Sequence, residues 1–282
     1  MVRKSLLFSP GDRPEMMRKA PETGADVLLF DLEDAVAPAR KSDARGAVRD
    51  VLTDPDFDPD AEVGVRLNHD PDDARDDLAA ILGGSVRLDV LVVPKVTAAS
   101  DVETTAALAR EAGRDLPAFA IVETASGVLA AREIAAAAAT DALVFGAEDL
   151  STDLGATRTQ TGTELLYARQ HVLLAARAGG VDAIDTVYPD FEDPDGLAAE
   201  AESAASFGYD GKTAIHPAQV DVIDDAFTPA PERIEWARNV LAARDEADSE
   251  GRGVFEVDGE MIDAPLVARA ERVLDRAGGT NG

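Results

Sequence analysis

The stretch "FAIVETASGVLAAREIAAAAATDALVFGAED" (residues 119–149) contains two short apolar runs separated by an alanine-rich segment. Residues 119–124 and 142–149 are rich in aliphatic and aromatic side chains, which favours strands, and residues 126–139 have the pattern of a helix. Strands that are apolar on both faces are typical of parallel sheets covered by helices. The stretch therefore predicts one strand–helix–strand unit of a parallel α/β protein.

The same pattern recurs along the chain. The other predicted strands are 5–9, 26–33, 63–68, 89–95, 183–188 and 212–217, and the other predicted helices are 13–23, 38–52, 100–113, 161–179 and 194–207. Eight such units in roughly 250 residues are the signature of a (β/α)8 TIM barrel. A doubly wound sheet is the alternative, but no G-x-G-x-x-G motif follows the first strand.

The pattern changes towards the end of the chain, so we expect a barrel domain over residues 1–228 and a helical and hairpin extension over 229–282. The extension contains predicted helices at 231–247 and about 265–277. Between them, Asp258-Gly259 predicts the turn of a short hairpin. Such a tail could pack on the barrel, cover its mouth as a lid or reach a neighbouring subunit.

The composition is strongly acidic, with 55 Asp and Glu against 27 Lys and Arg and a formal net charge of −28. Self-repulsion of this size is screened by salt, which predicts a protein of a high-salt cytosol. No basic stripe is available to neutralise phosphates, which argues against a nucleic-acid partner. The chain has no cysteine, no run resembling a signal peptide and no apolar run near the roughly 20 residues that span a bilayer, so we expect a cytoplasmic protein without membrane contact.

Position in the barrel ranks the many carboxylates, because the chemistry of TIM barrels lies at the C-terminal ends of the strands. This criterion retains the acids Asp31, Glu33, Asp34, Glu123, Glu148 and Asp149 and the basic residues Arg66, Lys95, Lys212 and His216. A mouth rich in carboxylates suits Mg²⁺, with Mn²⁺ as a possible substitute. Zinc would favour histidine or thiolate ligands, and the three histidines are far apart in sequence. The alternative, equally open from spacing alone, is that these acids only form ion pairs with the basic residues.

These residues lie within motifs that resemble a known family, the citrate lyase β-subunit-like branch of the HpcH/HpaI aldolases. The motifs are "RKSLLFSPGDRPEMMRKA", "DVLLFDLEDAVAP", "VRLN", "LVVPK", "AIVETASG", "FGAEDLSTDLG", "GYDGKTAIHPAQV" and "DGEMIDAP", in the order of the family. Malyl-CoA, methylmalyl-CoA and citramalyl-CoA lyases belong to this branch. The resemblance implies a barrel with a C-terminal extension, assembled as a homotrimer or homohexamer.

The resemblance also implies roles for individual residues. Glu123 and Asp149 would bind Mg²⁺, and Arg66 would clamp the carboxylate of an α-oxo acid, a task that suits the arginine fork. Glu148 would lie beside the substrate. Asp263 would enter the active site of a neighbouring subunit as acid or base, so the implied catalytic residues are Asp263, Arg66 and Glu123.

A coenzyme A thioester is the second implied ligand. Phe8, Arg13 and Lys19 would contact its CoA portion, and Ile215 and His216 would line the path of its pantetheine arm. Lys19 taken alone would be an ordinary solvated helix lysine.

The implied activity is an Mg²⁺-dependent lyase that cleaves a 3-hydroxyacyl-CoA, such as malyl-CoA or β-methylmalyl-CoA, or forms it by Claisen condensation. The products would be glyoxylate or pyruvate and acetyl- or propionyl-CoA. Two alternatives from the same family are a malyl-CoA thioesterase and a citrate lyase β subunit acting on a citryl thioester. From another class, a non-catalytic barrel subunit is disfavoured by the complete set of Arg66, Glu123, Asp149 and Asp263.

Overall fold

Eight parallel strands close into a barrel in the computed structural model, which confirms the predicted (β/α)8 fold. The strands are β1 (Ser5–Pro10), β2 (Val27–Asp31), β3 (Glu62–Arg66), β4 (Val90–Val93), β5 (Ala118–Val122), β6 (Thr140–Phe145), β7 (Asp182–Asp185) and β8 (Gly211–Ala214). The structure describes residues 2–159, 161–249, 251 and 253–278, without the side chains of residues 248 and 249. Within this range residues 3–223 form one compact unit and residues 224–278, with Val2, form another.

Helices connect the strands in the expected alternation. Those of the barrel region are α1 (Pro14–Lys19), α2 (Lys41–Leu52), α3 (Pro71–Ile81), α4 (Ala99–Glu111), α5 (Ala125–Leu129), α6 (Ala131–Ala135), α7 (Ala147–Leu154), α8 (Leu166–Gly179), α9 (Pro194–Phe207) and α10 (Val220–Phe227). The predicted helix 126–139 is in fact two short helices, α5 and α6. None of the helices in the described residues is long and apolar enough to cross a membrane.

Alternation along the strands decides which side chains fill the barrel. Its interior is an apolar cluster of Leu6, Val27, Leu29, Val90, Val92, Phe119, Ile121, Ala142, Val144 and Ile184. Because successive strand residues point to opposite faces, the residue two positions further on in each strand also faces inward, one layer closer to the mouth. This rule places the side chains of the mouth described below.

The opposite end of the barrel is closed by the guanidinium group of Arg3. This group lies 2.7 Å from Glu62, 2.6 Å from Asp141 and 2.8 Å from Asp182, measured to the nearest carboxylate oxygen. It also stacks over the ring of Phe119, with 4.8 Å between the guanidinium carbon and the ring centroid. A single half-buried cation thus joins the N-terminal ends of β3, β6 and β7.

One of the basic residues that the strand-end criterion selected does not lie at the mouth. Lys212 on β8 pairs in register with Ser5, next to the Thr213–Leu6 pair, so it points away from the interior. Its fully buried ammonium lies 2.9 Å from Asp185 and 2.5 Å from Glu200 of α9. The expectation that Lys212 faces the mouth is therefore wrong, because strand alternation directs it towards the surrounding helices.

Asp185 is the centre of this outer ion network. Its two oxygens accept hydrogen bonds of 2.8 and 2.7 Å from Nε and Nη2 of Arg169 on α8, in addition to the bond from Lys212. Burial alone would raise the pKa of Asp185, but the charges of Lys212 and Arg169 outweigh it and lower the pKa. The network joins β7 and β8 to the helices behind them.

The second unit contains α11 (Pro231–Ser249), the antiparallel pair β9 (Phe255–Val257) and β10 (Glu260–Ile262), and α12 (Ala264–Gly278). Asp258 and Gly259 have φ angles of 52° and 84°, as a tight hairpin turn of the I′ type requires, so the predicted turn is confirmed. The core of this unit is formed by Ala237, Val240, Val257, Ile262 and Ala270.

Candidate active site

Four strands bring ionisable side chains to the mouth of the barrel. Asp31 ends β2 and Arg66 ends β3, and the two are paired in register. Glu123 follows β5 by one residue and lies two positions after Ile121 of the interior cluster. Lys95 follows β4. The strand-end criterion therefore selects residues that the fold gathers in one layer.

Arg66 is held by Asp31 through two parallel hydrogen bonds. The distances are 2.7 Å from Nε to Oδ1 and 2.5 Å from Nη2 to Oδ2. The ring of Phe8 lies 5.1 Å from the guanidinium carbon, and Oε2 of Glu33 lies 3.2 Å from Nη1. Burial alone would lower the pKa of Arg66, but Asp31 and Glu33 outweigh it and raise the pKa, so the cation is permanent.

Asp31 has a structural task that sequence reasoning did not assign. Besides its bonds with Arg66, its oxygens accept hydrogen bonds from the backbone N–H groups of Glu33 (2.8 Å) and Ala35 (3.0 Å). The carboxylate is 1% exposed, so it has no freedom to rotate. Asp31 thereby fixes the orientation of Arg66, and the side of the guanidinium formed by Nε is already occupied.

Lys95 links Glu123, which follows β5, to the acids that follow β2. Its backbone adopts a φ of 50°, an uncommon left-handed conformation for a residue other than glycine. In this conformation its N–H donates to Oε1 of Glu123 at 2.8 Å, while its ammonium lies 2.6 Å from Glu33 and 3.4 Å from Asp34. Burial alone would lower the pKa of Lys95, but the hydrogen bond and charge of Glu33 outweigh it and raise the pKa.

Glu123 is the most electrostatically unusual acid of the mouth. It is 4% exposed. Burial, and secondarily the charge of Asp149, raises the pKa of Glu123 to about 8, although the hydrogen bond from Lys95 opposes the shift. A buried carboxylate close to a second one is stabilised in its charged form by a cation between them.

Gly146 makes room for Glu123. A Cβ atom at this position would lie 2.5 Å from Cβ and 2.6 Å from Oε2 of Glu123. These distances are shorter than real Cβ contacts. The absence of a side chain at Gly146 thus lets the Glu123 carboxylate lie over the start of α7.

Glu148 and Asp149 lie in the first turn of α7, not at the end of a strand as the sequence predicted. β6 ends at Phe145, because the buried positions 147, 150 and 151 follow a helical spacing and Gly155 caps the helix in the left-handed conformation. Asp149 is half-buried, whereas Glu148 is exposed and its carboxylate lies 3.0 Å from Nε of Arg158. The two neighbours therefore face different surroundings.

Asp153 lies on the same helix and has a structural role. Its Oδ2 accepts a 2.7 Å hydrogen bond from the backbone N–H of Ala125, the first residue of α5. Asp153 thus joins α7 to the start of α5.

The donor set at the mouth fits a hard divalent cation. Among the described residues no three His, Cys, Asp or Glu side chains form a cluster that could hold a metal alone. Glu123 and Asp149 offer two carboxylates, which is the usual protein contribution to an Mg²⁺ site that also keeps water or substrate oxygens. A structural zinc site, with four protein ligands, is not matched here.

The loop after β8 is fixed by Gln219, which sequence reasoning did not identify. Its buried side-chain oxygen accepts from the N–H groups of Ile215 (2.8 Å) and His216 (3.2 Å), and its amide donates to the carbonyl of Tyr188 (2.8 Å). The His216 ring stacks on Phe191 with 5.0 Å between centroids. By alternation from Thr213, Ile215 faces inward at the mouth, where it is half exposed.

The residues expected to contact CoA occupy two environments. Phe8 is half-buried between the interior cluster and Arg66. Arg13 and Lys19, at the start and end of α1, are exposed, as cations that meet phosphates must be.

Asp263 belongs to the second unit and immediately precedes α12. Its Oδ1 accepts a 3.3 Å hydrogen bond from the N–H of Leu266, and its carbonyl accepts from Leu266 and Val267. Within its own unit the exposed carboxylate therefore caps a helix.

The fold and the site place the protein among the (β/α)8 barrels that carry acidic side chains and an anchored arginine at the C-terminal ends of their strands. Residues 4–217 match the HpcH/HpaI aldolase/citrate lyase family, and the chain belongs to that family. A (3S)-malyl-CoA thioesterase from Cereibacter sphaeroides is 39% identical over 275 residues, which are 97% of this chain and 94% of the relative. The citrate lyase subunit beta of Leuconostoc mesenteroides subsp. cremoris is 37% identical over 287 residues, which are 98% and 93% of the two chains.

A solved structure agrees with the fold over nearly the whole chain. It is that of protein CitE from Mycobacterium tuberculosis in complex with magnesium, acetoacetate and coenzyme A. The TM-score is 0.81 at 40% identity, and the match covers 98% of each chain. The resemblance inferred from the motifs is thereby confirmed at the level of family and fold.

Proposed function

We propose that this protein is an Mg²⁺-dependent carbon–carbon lyase acting on a 3-hydroxyacyl-CoA such as malyl-CoA or β-methylmalyl-CoA. The observation that carries the proposal is buried Glu123, which lies over Gly146 at the start of the helix that carries Asp149, beside an arginine fixed by Asp31. The magnesium, acetoacetate and coenzyme A bound by the related CitE support the same ligand classes. Mn²⁺ is the expected substitute for Mg²⁺.

Glu123 and Asp149 would hold the ion. When bound, Mg²⁺ supplies a Lewis acid that lowers the pKa of a substrate hydroxyl and stabilises charge on its oxygen. Arg66 neutralises the carboxylate at the acid end of the substrate, and Asp31 and Phe8 keep the guanidinium in place. The positive charges needed for an anionic substrate are thus local in a strongly acidic protein.

Cleavage breaks the bond between C2 and C3 of the acyl chain. The 3-hydroxyl gives its proton to the carboxylate of Asp263 from a neighbouring copy, and its oxygen becomes the carbonyl of glyoxylate or another α-oxo acid. The electron pair of the broken bond passes to the thioester as an enolate. Asp263 of a neighbouring copy in a homotrimer or homohexamer protonates the enolate carbon, which gives acetyl- or propionyl-CoA.

The CoA portion of the substrate lies against Phe8, Arg13, Lys19, Ile215 and His216 in this proposal. Exposed Arg13 and Lys19 suit its phosphates, and the fixed loop around Ile215 and His216 suits the uncharged pantetheine arm. Glu148 lies beside the substrate at the edge of the site in this proposal.

Replacing the metal ligands tests the proposal. Glu123→Gln and Asp149→Asn should each abolish Mg²⁺-dependent cleavage and weaken Mg²⁺ binding measured by calorimetry, while the circular dichroism spectrum stays that of the wild type. Asp153→Asn on the same helix is the matched control, because it keeps an oxygen acceptor for Ala125 and should retain turnover. Unchanged turnover in either ligand variant would sink the assignment.

Hydrolysis of the thioester is the second candidate, favoured by the relative named (3S)-malyl-CoA thioesterase. Assays in high-salt buffer with malyl-CoA, methylmalyl-CoA, citramalyl-CoA and citryl-CoA should follow free CoA and the oxo acid separately. An acyl-CoA product together with an oxo acid indicates the lyase. Free CoA together with malate indicates the thioesterase, and cleavage of citryl-CoA alone indicates the citrate lyase activity of the Leuconostoc relative.

A further inference from the structure

Thr186 follows β7 directly and has no role in the proposed function so far. Ile184, two residues earlier, belongs to the interior cluster, so alternation directs Thr186 inward at the mouth. The residue is 4% exposed. A hydroxyl group is thus buried in the layer that contains Asp31, Arg66 and Glu123.

The position of Thr186 across the sheet is next to the metal ligands. In the register of β5 with β6, Val122 pairs with Phe145, so Glu123 is level with Gly146. In the register of β6 with β7, Val144 pairs with Ile184, so Gly146 is level with Thr186. Gly146 has no side chain, and Oε2 of Glu123 lies over it, 2.6 Å from where a Cβ would be. The Glu123 carboxylate therefore leans across β6 towards β7.

Thr186 already holds the helix that carries Asp149. Its Oγ1 accepts a 3.1 Å hydrogen bond from the N–H of Ala147, the first residue of α7. The N-cap residue of α7 is Gly146, which has no side chain to accept such a bond. Thr186 supplies the missing cap from the neighbouring strand.

The proton of this hydroxyl has no acceptor within the described part of the chain. Thr186 also lines a cavity of about 700 Å³ with Ala147, Glu148 and Tyr188, but Glu123, Asp149 and Arg66 do not line this cavity. A threonine hydroxyl can donate one hydrogen bond as well as accept, and the single bond from Ala147 uses only its capacity to accept. A buried donor left over in the same row as Glu123, across Gly146, points to a bound oxygen atom on that side.

We propose that Thr186 is a further substrate-contacting residue, which donates its hydroxyl proton to an oxygen of the α-oxo acid while it accepts from Ala147. The inference rests on the proposed function, since it assumes that the acid binds at Glu123 and Asp149. One side chain then positions the metal-binding helix and recognises the ligand.

Calorimetry with Mg²⁺ and pyruvate tests this inference. Wild-type protein is titrated with Mg²⁺ and then, at saturating Mg²⁺, with pyruvate. Thr186→Val has nearly the same shape without a hydroxyl, and it should weaken pyruvate binding by about tenfold or more, the loss expected for a hydrogen bond to a charged group. Its Mg²⁺ affinity should fall by a clearly smaller factor, and Thr186→Ser should restore both affinities.

Thr140→Val is the matched control. Thr140 is a buried threonine on β6 at the other end of the barrel, and its hydroxyl donates to the carbonyl of Ile134 at 2.7 Å. This variant should lose stability and keep both affinities.

Two results would overturn the inference. Pyruvate affinity in Thr186→Val within twofold of wild type would remove the donor role, and equal losses of Mg²⁺ and pyruvate affinity would leave only helix positioning. A wild-type protein that binds neither glyoxylate nor pyruvate in the presence of Mg²⁺ would instead refute the proposed function, and the inference with it.

Discussion

Gly146 shows how a single missing side chain shapes the mouth, since a Cβ there would overlap Glu123. We predict that Gly146→Ala displaces the Glu123 carboxylate and weakens Mg²⁺ binding by about 10- to 100-fold, as changes behind a metal ligand do. Titration calorimetry measures the effect. Gly46→Ala in α2 is the control, because no atom lies within 4 Å of its added Cβ. That variant should bind Mg²⁺ normally and gain about 0.5–1 kcal/mol of stability.

In the proposed function, Asp31 acts on the substrate through Arg66. Asp31→Asn places an amide N–H group where a carboxylate oxygen now accepts from Arg66 or from a backbone N–H. We expect kcat/KM to fall by about 10²-fold, because Arg66 is no longer oriented. Steady-state kinetics check this, and added guanidine should not restore activity because the arginine is still present. A variant with wild-type kcat/KM would show that Arg66 needs no such support.

The strand-end criterion found most ionisable residues of the mouth because position along a strand is visible in the sequence. Arg66, Glu123 and Lys95 were selected in this way. The task of Asp31 was not visible, because it depends on the register between β2 and β3. Gly146 and Thr186 carry no charge, so a search for ionisable groups passes over them.

The pair β7 and β8 is tied to its helices by buried charges. Asp185→Asn leaves Lys212 and Arg169 with an incomplete set of partners, and we expect a loss of about 3–5 kcal/mol in the free energy of unfolding at pH 7. Denaturant unfolding measures this loss. Asp72→Asn, whose side chain is 97% exposed, should change stability by less than about 0.5 kcal/mol.

The pH dependence of the same variant follows from the lowered pKa of Asp185. A carboxylate with a lowered folded-state pKa stabilises the protein fully above its unfolded pKa of about 3.9 and loses that contribution as the pH falls through the folded value. The stability difference between wild type and Asp185→Asn should therefore be largest at neutral pH and shrink below about pH 4. A difference that grows on acidification would contradict this assignment.

Helix and strand boundaries were predicted less well than the elements themselves. The segment 142–149 was taken as one strand, although it contains the end of β6, a glycine and the first turn of α7. Apolar runs of this length do not distinguish strand from helix without the third dimension. The error placed Glu148 and Asp149 at a strand end, whereas they lie in the first turn of α7.

The whole molecule carries a net charge of −28, and many of its carboxylates are exposed. We predict that stability rises with KCl concentration, because the Debye length shortens from about 10 Å at 0.1 M to about 3 Å at 1 M and screens the repulsion. Thermal unfolding measures the rise in the midpoint temperature. This rise should be largely complete near 1 M KCl and should be similar in NaCl. Stability that falls over this range would show that surface ion pairs outweigh the repulsion.

The fold as a whole was predictable from the sequence, since eight repeated strand–helix units leave few topologies. The place of the C-terminal unit was not, because Asp263 and its hairpin have local signals only. Their turn at Asp258-Gly259 was readable, whereas a role in another subunit comes from resemblance and stays a prediction.

The Arg3 closure described above has a consequence for the order of events during turnover. Since Arg3 and its partners cap that end and the interior is packed with side chains, we expect a ligand to reach Glu123 from the mouth. In the proposed condensation, an α-oxo acid bound at Glu123 and Asp149 would therefore enter before the thioester and leave after it. A barrel that is open at one end thus predicts an ordered mechanism, in which the thioester binds last and leaves first.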